Sequence, residues 1–318
     1  MKKIIKVVGK LLLILVVLIG SYLVYVSVRG IPSYEAQPVS FTLQSTPEAI
    51  ARGGKLVGML CANCHLDVES GKLVGGRMFD APAEFGEIYA PNITQDNEYG
   101  IGEWSDEDLV RLLRTGIKKD GVYSPPYMVK LPGLADSHMN AIVSFLRSDN
   151  EMVIASSVAD QASRPSFLTK LLCNIEWSPL PFPEDPIAMP DENDTLALGK
   201  YLANNLECFS CHSSNFKTND FMNPEKSVGY FGGGNETLSL DGDVMLTQNL
   251  TPDMETGIGS WSEEKFTRAV RFGLKDGEPA LRYPMQPYSS LTDDEAGAIY
   301  QFLQSIRPIS NNTVRSGL

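Results

Sequence analysis

"LECFSCHSSN", from Leu206 to Asn215, contains C-x-x-C-H, and "CANCH", from Cys61 to His65, contains it again. The 318-residue chain has five cysteines and three histidines, and these two stretches hold four of the former and two of the latter. Working outward from them, the chain is one unit written twice, a pattern to be sought before any other. Upstream the offset is 147, carrying Cys61 to Cys208 and His65 to His212. Downstream it is 157: "PNIT" (Pro91–Thr94) falls on "QNLT" (Gln248–Thr251), and "GIGEWS" (Gly100–Ser105) on "GIGSWS" (Gly257–Ser262). The second unit therefore has about ten extra residues after its motif, within Ser213–Gly234. Both units pass through a glycine cluster, "VGGRMF" and "FGGGNE".

C-x-x-C-H is the attachment spacing of c-type haem. The two thiols form thioethers with the haem vinyl groups, and the next histidine reaches the iron. Covalent attachment keeps haem in a unit whose small core alone would not. A thioredoxin-like pair needs a βαβ setting, which the helical pattern lacks. A zinc site needs four ligands in one compact unit, and each half offers Cys-Cys-His. The reading is two covalently bound haem c groups, held by Cys61 and Cys64 and by Cys208 and Cys211, with His65 and His212 on the irons.

His138 is the one other histidine, so His–His ligation at both irons is impossible. The offset singles out Met128 in "SPPYMVKLP" and Met285 in "RYPMQPYSS" as sixth ligands, each in a proline-bearing loop before the last helix of its unit. A Met/His pair raises the reduction potential and suits an electron carrier; core filling is the alternative for any methionine. His138 aligns with Glu295, in the first turn of a helix, and is expected to be solvated there, with iron ligation the competing reading. Arg111 and Arg114, like Arg268 and Arg271, share a helix face at i, i+3. They and the indole N–H groups of Trp104 and Trp261 are candidates for the haem propionates, against surface arginines and core tryptophans. Asn92 and Asn249 either donate similarly or fix a turn.

Helix signals predict a mostly α fold of tandem domains behind one transmembrane helix. Thr46 and Pro47 start the helix before the first motif; Ser105 and Gly116, then Ser262 and Gly273, bracket two more. A last helix begins near Asp136 and near Thr292. The predicted organisation is an N-terminal signal-anchor over 1–30, domains over 46–150 and 191–310, and a proline-rich linker over 151–190 that packs along both. Leu11–Val28 is an 18-residue run without charge, preceded by lysines and followed by no clear cleavage site. It reads as an uncleaved single span of the inner membrane with the remainder outside, facing the periplasm. Residues 1–30 hold five basic residues and no acid, leaving 22 basic against 39 acidic side chains elsewhere, a balance of −17. Such a surface excludes nucleic acid and favours partners with a basic face. Cys173, outside both motifs, reads as a buried thiol.

At these residues the chain resembles dihaem c-type cytochromes of bacteria. Its units are similar to the class I cytochrome c domain: a helix, C-x-x-C-H, a loop methionine and a final helix. The "PNIT" and "GIG-W-S" segments are similar to those in multihaem cytochrome c subunits of membrane-bound alcohol, aldehyde and sugar-acid dehydrogenases. Those subunits commonly carry three haems; two motifs stand here. The resemblance covers about residues 46–148 and 192–306. It implies an electron relay without catalysis of its own, between a dehydrogenase or quinol-oxidising complex and a terminal oxidase or soluble carrier. The alternative is a dihaem peroxidase, with one iron open and His138 as the spare acid–base group.

Overall fold

The computed structural model describes residues 2–275, 277 and 279–313. Its helices are α1 (Lys2–Arg29), α2 (Pro47–Leu60), α3 (Ala62–His65), α4 (Asp106–Thr115), α5 (Asp136–Leu146), α6 (Phe167–Ile175), α7 (Thr195–Asn205), α8 (Cys208–His212), α9 (Glu263–Phe272) and α10 (Asp293–Ser305). The strands are two or three residues long: β1 (Gly76–Arg77), β2 (Gly86–Glu87), β3 (Tyr89–Ala90), β4 (Arg164–Pro165), β5 (Glu236–Leu238) and β6 (Val244–Leu246). They form three antiparallel pairs, β1 with β3, β2 with β4 and β5 with β6. The protein is mostly helical, as its periodicity predicts.

The helix starts follow from side-chain oxygens placed to accept otherwise unpaired backbone donors. Thr46 accepts from Ala49 N and Ser105 from Asp108 N, both at 3.1 Å. Ser262 accepts from Lys265 N at 3.2 Å and Thr292 from Glu295 N at 3.1 Å. Each such cap is worth about 1 kcal/mol. Gly116 and Gly273 close α4 and α9 in the left-handed region, at φ 84° and 71°.

Two crossings organise the molecule, α2 on α5 and α7 on α10. Both are made close by a glycine. A Cβ on Gly53 would lie 1.9 Å from the carbonyl oxygen of Ala141, and one on Gly199 would lie 1.9 Å from that of Ala298. Around the first crossing Leu56, Val57, Leu109, Ile142 and Phe145 form an apolar core; around the second, Leu202, Phe231, Ile258, Phe266 and Leu303 form another. Met59, Leu60 and Tyr201 pack against both cores and join them.

Residues 151–190 carry β4 and α6. α6 packs on α1 and on the 3₁₀ turn Ala83–Phe85, and Phe85 meets Trp177 and Phe216 edge-on or tilted. α1 has 28 residues, about 42 Å at 1.5 Å each. It is long and apolar enough to cross a membrane, a description that an N-terminal signal sequence also meets. Just beyond it, Tyr34 N donates to Gly121 O at 2.9 Å and Tyr123 N to Pro32 O at 3.0 Å, tying its end to the first unit.

Candidate functional site

α3 and α8 are single-turn helices, each ending at a motif histidine. His65 Nδ1 stands 2.8 Å from the carbonyl oxygen of Pro91, and His212 Nδ1 stands 2.8 Å from that of Gln248. A carbonyl oxygen only accepts, so Nδ1 carries the proton in both rings and Nε2 keeps its lone pair. Burial pulls both imidazoles below their ordinary pKa, with the carbonyl contact opposing, so both rings are held neutral. A histidine oriented through one nitrogen to present the other is the arrangement a metal ligand requires.

Asn92 and Asn249 set those two carbonyls. Asn92 Oδ1 accepts from Thr94 N at 2.9 Å and from Thr94 Oγ1 at 2.7 Å, and Asn249 Oδ1 accepts from Thr251 N and Oγ1 at the same distances. Asn92 Nδ2 donates to Ser156 O and Val158 O, and Asn249 Nδ2 donates to Ile309 O and Thr256 Oγ1. Of the two roles left open, each asparagine takes the turn. The glycine clusters complete the device. Gly75 N donates to His65 O at 2.8 Å and Gly233 N to His212 O at 2.7 Å. Gly75 (φ 81°) and Gly233 (φ 69°) press on the acceptor segments, where a Cβ would lie 2.1 Å from Ala90 O or 2.6 Å from Gln248 C.

The methionine loops are bracketed identically. Ser124 N donates to Gly116 O and Leu131 N to Leu113 O, both at 2.7 Å; Leu281 N donates to Gly273 O and Tyr288 N to Val270 O, both at 2.8 Å. Met128 and Met285 lie between these bonds, half-buried, and neither belongs to either apolar core. Ser124 Oγ lies 3.5 Å from Met128 Sδ. Cys61 and Trp104 pack against the core that holds Leu131; Cys208, Trp261 and Tyr288 share the other. Histidine motif, tryptophan and methionine loop thus frame one core in each unit.

Arg111, Arg114 and Arg271 have partners within the protein. Arg114 is buried, and its Nη1 donates to the carbonyls of Leu131, Pro132 and Leu134 at 2.9, 3.1 and 2.5 Å, pinning the end of the methionine loop. Its Nη2 pairs with Asp136 at 2.8 Å, and Arg271 pairs with Asp293 at the equivalent place. Arg111 bonds Gln37 O and Asp108. Arg268 is half-buried on α9, and Lys265 stacks over Trp261.

His138 departs from expectation. It is buried, not solvated. Its Nδ1 lies 2.7 Å from Tyr201 Oη, and Arg52 Nη1 donates to its Nε2 at 3.3 Å. The cover comes from α7 of the other unit, which no helical periodicity within the first unit could reveal. Both ring nitrogens are engaged, which removes His138 as a ligand or an acid–base group over an iron in this arrangement. No disulfide joins any of the five cysteines, and Cys173 is buried. Burial pushes the thiols of Cys61, Cys64 and Cys208 up to about 12 and that of Cys173 to about 11, whereas Cys211 is exposed.

The units also touch each other's site segments. Gln286, beside Met285, donates to Asn63, between Cys61 and Cys64. Asp80 N donates to Tyr283 Oη at 3.0 Å. In the opposite sense, Lys130, two residues after Met128, interacts electrostatically with Glu207, which precedes Cys208. Burial draws this Lys130 down to about 7 and raises Glu207 to about 8. Nothing in the sequence marks this pair.

Among the described residues, no group of three or more His, Cys, Asp or Glu side chains gathers to hold a bare metal ion. The donor set fits haem c instead: two thiols and an oriented imidazole on one turn, with a thioether on a pinned loop. No family model matches the chain. It is similar to cytochrome c subunits of dehydrogenases, which supports covalent haem and electron transfer. Over 83% of its length it is 28% identical to the cytochrome c subunit of alcohol dehydrogenase (quinone) from Gluconobacter oxydans. Over 85% it is 28% identical to the fructose dehydrogenase cytochrome subunit of Gluconobacter japonicus. Over 81% it is 27% identical to the gluconate 2-dehydrogenase cytochrome c subunit of Pantoea cypripedii. The matches span 56%, 55% and 58% of those relatives, so the chain covers little more than half of each.

Proposed function

We propose that the protein is a dihaem c-type cytochrome, anchored in the inner membrane by α1, that relays single electrons on the periplasmic side. Its donor is a dehydrogenase or quinol-oxidising complex and its acceptor a terminal oxidase or soluble carrier. In this reading residues 46–150 and 191–310 are tandem cytochrome c domains. The observation that carries it is the matched pair of histidines, His65 and His212, each donating from Nδ1 to a carbonyl and presenting Nε2.

Haem c supplies a one-electron ferric/ferrous couple. The protein's part is attachment, ligation and insulation. Cys61, Cys64, Cys208 and Cys211 would hold the haem as thioethers, each formed by adding S–H across a vinyl double bond, sulfur to one carbon and the proton to the other. A thioether has no acidic proton, so the burial that raises the thiols of Cys61, Cys64 and Cys208 no longer opposes an ionised form. Met128 and Met285 would supply the other iron ligand, and a Met/His set favours the reduced state. Arg111, Arg114, Arg268, Arg271, Trp104 and Trp261 are the candidate propionate contacts in this reading.

The test is an optical spectrum with haem-to-protein stoichiometry on the full chain, produced with the cytochrome c maturation machinery. Two covalent low-spin haems, with the weak red ferric band of methionine ligation, support the relay. A high-spin component, or carbon monoxide binding at one reduced haem of the unaltered protein, would overturn it in favour of an open iron.

A further inference from the structure

α6 is built inside out. At 3.6 residues per turn, Phe167, Leu168, Leu171, Leu172 and Ile175 fall on one arc, opposite Thr169 and Cys173. The small pair is buried, and Thr169 Oγ1 donates to Phe85 O at 2.8 Å. Three of the large apolar side chains face outward, Phe167 at 42% exposure, Leu168 at 39% and Ile175 at 60%, while Leu171 and Leu172 are half-buried. A helix on an aqueous surface shows the opposite arrangement.

Its position says what covers that face. Val26 is the buried residue of α1, and α6 is the helix that packs on α1. Arg29 Nη1 donates to Asn174 Oδ1 at 3.0 Å, and Asn174 Nδ2 donates to Gly30 O at 2.9 Å. One turn below Val26 lie Tyr22 and Tyr25, both exposed, of a residue type that settles at the headgroup level of a bilayer. α6 therefore sits where α1 leaves the membrane, its apolar arc beside the apolar surface of the span. Lys170 and Arg29 flank it with the charge that anionic headgroups attract.

We propose that the outer face of α6 lies in the lipid at the periplasmic edge of the bilayer, as an interfacial helix that seats the first unit on the membrane. This rests on the reading of α1 as a membrane span. Continuity with that span favours lipid over a protein partner as the occupant.

The experiment places the photoreactive residue p-benzoylphenylalanine in place of Phe167 or, separately, of Leu12 in the full chain. Each variant is reconstituted into vesicles of phosphatidylethanolamine and phosphatidylglycerol, with haem absorbance confirming the fold. Lipid adducts at both positions are the expected result. Lipid adducts at Leu12 with only protein adducts, or none, at Phe167 would overturn the interfacial helix and leave the anchor standing. Loss of lipid adducts at Leu12 would overturn the anchor, and the interfacial helix with it.

Discussion

A buried imidazole between a phenol and a guanidinium stays neutral, and His138 is such a group. Burial, then Arg52, lowers it to about 4, with Lys55 adding to the effect and Glu295 opposing it. An unfolded histidine titrates near 6.5, so the difference corresponds to about 3 kcal/mol. Between those values the unfolded chain binds a proton that the folded chain does not. Stability is therefore fully present above about pH 6.5 and is lost as the pH falls towards 4. Denaturant melts at pH 7 and pH 4.5 should show that loss in the unaltered protein and a smaller one in His138→Gln; equal losses would reject the assignment. The methionines carry a second prediction at this scale. Met285→Ala should lower the potential of one haem by on the order of 0.1 V, within the roughly 0.8 V range that axial ligands span. It should also admit carbon monoxide there, leaving the other haem unchanged. Redox titration of Met285→Ala and Met128→Ala checks the pair, and an unaltered spectrum in either would remove that methionine as a ligand.

At the scale of elements, the helix crossings are the most sensitive points. Gly199→Ala puts a methyl group where Ala298 O already lies 1.9 Å from the added carbon, and that obstacle is backbone. The helices must separate, a strain of about 1–3 kcal/mol. Gly53→Ala does the same against Ala141 O in the first unit. Each substitution should lower the melting temperature and slow haem attachment in its own unit, measured by calorimetry and haem stoichiometry. Exposed Gly58 on the same helix as Gly53, with open space around its Cβ position, should tolerate alanine. The elements most legible in the sequence are those whose causes are local. Ser105 and Ser262 announced their helices because an N-cap acts within three residues, and the 157-residue offset placed both methionine loops between matched backbone bonds. The spacing of His65 and His212 marks them as a matched pair, but the acceptors Pro91 and Gln248 became visible only when the chain folded back. The burial of His138 and the inverted face of α6 stayed hidden for the same reason: the covering groups lie tens of residues away, on other elements.

The whole molecule behaves as a pair of units that hold one another. Tyr201 on α7 reaches His138 on α5, and Lys55 on α2 reaches Glu295 on α10. His138 and Glu295 are equivalent positions of the repeat, so the first helix of each unit meets the last helix of the other at the same place. Gln286 against Asn63, and Lys130 towards Glu207, repeat that exchange between the methionine loops and the haem-attachment turns. Met59 and Leu60 add apolar surface common to both cores. A unit that unfolded alone would expose Tyr201 or Met59 and leave a buried imidazole or carboxylate without its partner. Removing one partner of a buried polar contact costs about 1–3 kcal/mol, and two half-buried contacts, Tyr201 to His138 and Lys55 to Glu295, are lost together. Thermal unfolding should therefore be a single transition, with near-coincident changes in helicity and in the absorbance of both haems. The double variant Tyr201→Ala, Lys55→Ala should separate it into two, because each unit keeps its own helix crossing while the shared interface is weakened. Two resolved transitions in the unaltered protein would show that the units fold independently. A single transition that persists in the double variant would place the coupling in the Asn63–Gln286 hydrogen bond and the Lys130–Glu207 electrostatic interaction, beside the two C-x-x-C-H turns.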